Sequence, residues 1–126
     1  MSRALNPATV PAVPYYSQGI SLTRPEQLVL VSGQVGVSAD GTVAEGITEQ
    51  TQQAVANVLA VVQEAGLQAE HIAKLTIYLT DPANIEPFMA AAGGALPSPP
   101  PATTLLLVSG LASPDLLIEI EAIAAA

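Results

Sequence analysis

Residues 103–108 (TTLLLV) form a continuous apolar run. Such a run reads as a strand covered on both faces, because a half-exposed strand alternates apolar with polar side chains. The rest of the chain supplies cover for only one face. Ile47, Thr51, Val55, Val58, Leu59 and Val62 recur at spacings of three and four, with Glu49, Gln52, Gln53, Asn57 and Gln63 mostly on the other side. This period predicts an amphipathic helix over residues 48–65, with Thr48 as a candidate N-cap and Gly66 ending it in a left-handed conformation. A second, short helix is expected over residues 83–92, shortened by Pro87 and stopped by Gly93-Gly94. Two helices shield one side of a sheet, so another copy of the same chain is the simplest cover for the second side.

The remaining strands follow from alternation and turn chemistry. Residues 1–14 read as an extended, proline-punctuated lead-in. Residues 15–22 and 27–31 read as strands, joined as a hairpin through Thr23-Arg24-Pro25-Glu26. Ala39-Asp40-Gly41 carries an Asp-Gly turn signal, with pairing continuing weakly through Thr42 and Val43. Residues 72–80 alternate Leu75, Ile77 and Leu79 against Lys74, Thr76, Tyr78 and Thr80, and Asp81-Pro82 closes the run. Residues 96–101 (LPSPPP) cannot pair as a central strand and form a rigid connector. In residues 116–124 the pleat sets Ile118, Ile120 and Ala122 on one side and Glu119, Glu121 and Ile123 on the other. The expected order is β-β-α-β-α-β-β, a single α+β domain over residues 1–126 without internal repeats.

Composition points the same way. Half of the 126 residues are hydrophobic and only 11% are charged, too few charged groups to coat a small monomer, so subunit interfaces are expected. Arg3, Arg24 and Lys74 are the only basic residues, and the net charge is -8, which disfavours nucleic acid and anionic membrane surfaces as partners. No cysteine is present, which removes disulfides, thiolate zinc sites and a thiol nucleophile. The first residues lack the apolar core of a signal peptide, and no stretch is apolar for long enough to form a membrane helix, so a cytoplasmic location is expected. His71 stands alone beside Glu70 and reads as a solvated residue, leaving no expected metal site. Gly33, Gly36, Gly41 and Gly46 lack the strand-to-helix setting and lysine of a phosphate loop, and no cofactor is expected.

Glu119 stands out on chemical grounds. A carboxylate on the non-helix side of an otherwise apolar strand should be partly desolvated, which suits it to general acid or base work, and Glu121 shares its face.

Tyr16-Ser17-Gln18-Gly19, Val31-Ser32-Gly33-Gln34, the helix ending in Ala65-Gly66-Leu67, Lys74-Leu75-Thr76-Ile77-Tyr78-Leu79, Pro101-Ala102-Thr103-Thr104 and the strand from Ile118 to Ala124 together resemble the RidA/YjgF family, in the family's order and over nearly the whole chain. The resemblance implies a chorismate-mutase-like fold, helices on one face of the sheet, and a homotrimer with small-molecule clefts between neighbouring subunits. For the best-known members it also implies hydrolysis of enamines and imines to keto acids and ammonia. Tyr16, Ser32, Gly33 and Glu119 match cleft-lining positions, with Glu119 and Tyr16 as the expected catalytic pair.

The chain departs from the family where deaminase members carry an arginine that grips the substrate carboxylate, because Thr103 occupies that position. Leu105 stands where many members have cysteine, and Met89 where active members often have asparagine. The expected ligand is therefore neutral or weakly cationic and meets Thr103, Leu105 and Met89. Acid/base chemistry at Glu119, a non-catalytic binding or regulatory trimer, and retained enamine/imine deamination all remain open at this point.

Overall fold

A computed structural model describes residues 2–95 and 99–126, in the order β1 (Ser2–Leu5), β2 (Gly19–Leu22), β3 (Leu28–Val35), α1 (Gly46–Glu64), β4 (Ile72–Leu79), α2 (Ile85–Ala92), β5 (Ala102–Leu107) and β6 (Ile118–Ala125). Four strands form one sheet in the order β3-β6-β4-β5. β6 runs antiparallel to both neighbours, while β4 and β5 are parallel and joined through α2. The alternation of β6 explains its central place. Ile118, Ile120, Ala122 and Ala124 are buried on the helix side together with Leu75, Ile77 and Leu79 of β4. α1 lays Ala54, Val58 and Val62 across them at helical spacing, and α2 adds Phe88 and Ala92. Both helices thus cover one face.

The opposite face is open in the single chain. Leu30 is 71% exposed, Leu28 59%, Leu106 46% and Ile123 37%. The run 103–108 is therefore covered on one side only by the described residues of the protomer, and β5 is an edge strand whose outer side carries, among the described residues, a single bridge from Ser17 to Ala102.

Several expectations need correction. The lead-in over residues 1–14 contains a real strand, β1, which pairs antiparallel with β2. Every proline of the lead-in lies beyond Leu5, so β1 keeps all of its N–H donors. The hairpin across residues 23–26 does not form. Arg24 adopts φ 49° and turns the chain away, and β3 instead pairs with β6, its entrance held where Glu26 and Gln27 donate backbone N–H groups to the Ala126 carbonyl. Thr48 is not the N-cap: α1 starts earlier, at Gly46 with φ 78°, after Glu45, and no side chain caps it. Pro87 does not shorten α2, because it falls in the first turn, where a missing N–H costs nothing. Residues 96–98 of the expected connector lie outside the described residues.

The C-terminus of α1 is as the spacing predicts. Gly66 takes φ 82°, its N–H donates to the Gln63 carbonyl at 2.9 Å, and Leu67 N–H donates to Val62 at 3.1 Å, the paired bonds of a Schellman ending. One internal position is unfavourable: Thr51 is fully buried, and its hydroxyl has no partner among the described residues. Thr51→Val keeps the shape and removes the orphan, so it should stabilise the protein by about 1 kcal/mol in urea denaturation. A loss of stability would show that the hydroxyl is bonded.

The Asp-Gly turn has its own charge device. The Asp40 carboxylate accepts from the Ser38 hydroxyl at 2.6 Å and from the Thr42 N–H at 2.9 Å. The Ser38 bond first, then the Thr42 bond, holds its pKa near 2 against an ordinary 3.8. A depressed carboxylate favours the fold fully above its ordinary pKa and loses that contribution as pH falls toward 2. Asp40→Asn should therefore flatten the acid limb of stability between about pH 4 and 2, read by denaturation at stepped pH; an unchanged limb would refute the turn's role.

Candidate functional site

The lead-in reaches the sheet through Ser17, which is 2% exposed. Its N–H donates to the Pro101 carbonyl at 3.2 Å and its hydroxyl to the Pro100 carbonyl at 2.5 Å. These bonds hold Tyr15 and Tyr16 against the edge of β5, under the C-terminal half of α2. The space between them is an open-sided cavity of about 460 Å³. Its floor is Ile77, Thr103 and Leu105, which share the helix side because Leu75 pairs with Thr103 and Ile77 with Leu105. Phe88 and Met89 form its roof, and Tyr15 and Tyr16 stand at its side. Neither arginine nor lysine lines it among the described residues. Thr103 is itself engaged, its hydroxyl donating to the Pro101 carbonyl at 3.1 Å.

The basic residues lie elsewhere. Arg3 is in β1 and Arg24 in the turn after β2. Lys74 makes no cavity contact and donates to the Thr104 hydroxyl at 2.7 Å on the open face of the sheet. His71 serves the local structure, since its Nδ1 accepts the Gln68 N–H at 2.9 Å and closes the turn before β4.

A second group gathers on the open face. The pairing of β3 with β6 shifts between Val31 and Gln34, so Ser32 and Gly33 together oppose Glu121 in a β-bulge. Gly33 is required there. A Cβ at that position would lie 1.9 Å from Glu119 Oε2 and 2.7 Å from its Cδ, so the carboxylate rests on the bare backbone of the bulge. Tyr78, directly across from Glu119 in the β4–β6 ladder, donates its phenol proton to Glu121. That bond, then burial, then the negative charges of Glu121 and Glu119, raise the Tyr78 pKa above 10.0, so it stays a donor at neutral pH. No group of histidines and carboxylates among the described residues could hold a metal ion.

The expected site residues thus fall into two sets. Tyr16, Met89, Thr103 and Leu105 line one cavity; Glu119, Ser32 and Gly33 meet on the opposite face of the same sheet. The structure adds Tyr15, Ser17 and Tyr78 to them. Of these three, only Tyr78 leaves a trace in local pattern, as part of the polar half of an alternating strand.

Comparison with known proteins then decides the relationship, since a family model described as Endoribonuclease L-PSP matches residues 7–126. The chain belongs to this family, that of the RidA/YjgF proteins. Across 98% of both chains this RidA/YjgF protein is 34% identical to the 2-iminobutanoate/2-iminopropanoate deaminase of Salmonella typhimurium. It is 43% identical over 75 residues to a RutC family protein of Aquifex aeolicus, a match covering 59% of this chain and 57% of that one. The crystal structure of YyfB from Yersinia pestis, a Rid-family protein of unknown function, superposes with a TM-score of 0.85 at 34% identity, covering 99% and 98% of the two chains. The single mixed α+β domain with helices on one face is thus the RidA/YjgF fold. No helix among the described residues is long and apolar enough to cross a membrane.

Proposed function

We propose that this RidA/YjgF protein acts as a homotrimer whose intersubunit clefts take a neutral or weakly cationic small molecule, with Glu119 as acid/base group and Tyr16 assisting. The observation that carries the reading is the cavity without a cation, in which Thr103 stands where the family resemblance places a carboxylate-gripping arginine. A guanidinium supplies charge and a two-pronged donor; a hydroxyl already spent on Pro101 supplies neither. The open face, rich in exposed leucine and isoleucine, supports association. Association is also what the chemistry asks for. Tyr16 and Glu119 lie on opposite faces of one sheet, so a site using both draws them from neighbouring copies.

In that cleft a water adds to a C=N carbon while the Glu119 carboxylate accepts its proton and passes it to nitrogen; the resulting amino-alcohol collapses to a carbonyl and a free amine. The net charge of -8 argues against anionic ligands generally, RNA included. The test is Glu119→Gln with a panel of imines and enamines lacking a carboxylate. Turnover should fall about 100-fold or more with binding retained. Unchanged turnover would end the acid/base reading, binding without product in the unmodified protein would favour a binding or regulatory trimer, and a single-chain species in sedimentation would remove the cleft.

A deaminase acting on ordinary 2-imino acids is the second reading. It is favoured by the name of the Salmonella relative and predicts ammonia release from freshly generated 2-iminopropanoate above the spontaneous rate.

A further inference from the structure

We infer that the cavity over β5 selects a neutral aromatic molecule that carries an N–H or O–H donor, and that Thr103 reads this donor. The inference rests on the proposal that the site takes uncharged ligands and narrows it to one chemical class.

A single proton decides what Thr103 can offer. A threonine hydroxyl has one hydrogen and two lone pairs, and a carbonyl can only accept, so the 3.1 Å bond from Thr103 Oγ1 to the Pro101 carbonyl commits that hydrogen. What Thr103 turns to a guest is an acceptor. A carboxylate or carbonyl there meets lone pairs facing lone pairs, whereas an N–H or O–H completes a chain that runs from guest to Thr103 to Pro101. The direction is reinforced from outside, because the bonds from Ser17 to Pro100 and Pro101 hold that backbone in place.

The walls set the rest of the class. Tyr15, Tyr16 and Phe88 offer ring faces and edges, Pro14 and Pro100 flat aliphatic rings, and Met89 a polarisable sulfur. Apart from the two phenols, which can donate or accept, Thr103 is the only polar side chain lining the cavity among the described residues. An open-sided cavity of about 460 Å³ falls in the range of small-molecule sites.

Indole, indene and indole-3-carboxylate serve as probes: similar ring shape with a donor, without one, and with an added negative charge. The chain contains three tyrosines and no tryptophan, so with excitation at wavelengths beyond tyrosine absorption the blue shift of indole emission on entering an apolar site is read without a protein background, and calorimetry gives all three affinities. In the full-length protein indole should bind best, and Thr103→Val, which preserves the branched shape, should lower the indole-to-indene affinity ratio about fivefold. If Thr103→Val leaves that ratio unchanged, the donor-reading inference fails while the neutral-ligand proposal stands. If indole-3-carboxylate binds most tightly, or no probe binds at millimolar concentration, the proposal fails and takes the inference with it. Native far-ultraviolet circular dichroism and unchanged sedimentation of Thr103→Val exclude loss of fold as the cause.

Discussion

Gln50→Leu should lower stability by about 3 kcal/mol, measured by urea denaturation at fixed protein concentration. Gln50 is 2% exposed in the first turns of α1, and its amide serves three backbone groups at once. It donates to the carbonyls of Ala44 at 3.1 Å and Asp115 at 2.9 Å and accepts the N–H of Leu117 at 2.8 Å. One side chain thereby ties the loop before α1 to the loop before β6. Leucine fills similar space but strands all three partners, each at about 1 kcal/mol or more. Gln50→Glu should be nearly as damaging, since a carboxylate still accepts from Leu117 but turns negative oxygen toward two carbonyls. The junction has no slack: a Cβ on Gly36 would sit 2.6 Å from the Gln50 Cα, so the helix backbone is already in contact with the strand end. A cost below about 1 kcal/mol for Gln50→Leu would mean that water replaces the amide without penalty.

Thr103→Arg is the substitution with the largest expected gain. Position 103 faces a cavity of about 460 Å³, room enough for a guanidinium, and no other cation lines it among the described residues. A bidentate, charge-assisted contact should strengthen binding of a 2-keto or 2-imino acid by about 2–3 kcal/mol, or about 30- to 150-fold. Calorimetry with pyruvate, and ammonia release from freshly generated 2-iminopropanoate, provide the two readouts. If the unmodified protein already binds pyruvate as tightly as the variant, the absent arginine has no bearing on ligand charge, and retained deamination becomes the better account.

The parts of the fold legible in the sequence are those fixed by local period. α1 shows in its three-and-four spacing, its ending in Gly66, and β6 in the strict alternation that separates Ile118 and Ile120 from Glu119 and Glu121. β1 leaves no such trace, because four residues are too few to display a period and its partner is chosen by tertiary geometry. The expected hairpin is absent for a related reason. Residues 23–26 have turn chemistry, but the hydrogen bonds of β3 are taken by β6, from the far end of the chain, Leu28 pairing with Ala125 and Val35 with Glu119. At the site, the pleat alone places Glu119 on the non-helix face, whereas the position of Tyr16 depends on a Ser17–Pro100 bond spanning 83 residues. Contacts at that separation follow from no pattern within either segment, which is why the division of the expected pair between two faces emerges only with the structure.

The way Ser17 fastens the lead-in to β5 couples two events that look separate. Tyr15 and Tyr16 are both a wall of the cavity and part of the arm that Ser17 secures, so any guest that favours the closed wall must also favour the docked arm, and by the same free energy. Occupancy would then be felt at a distance, as an N-terminal arm less often released and slower to be cut by a protease.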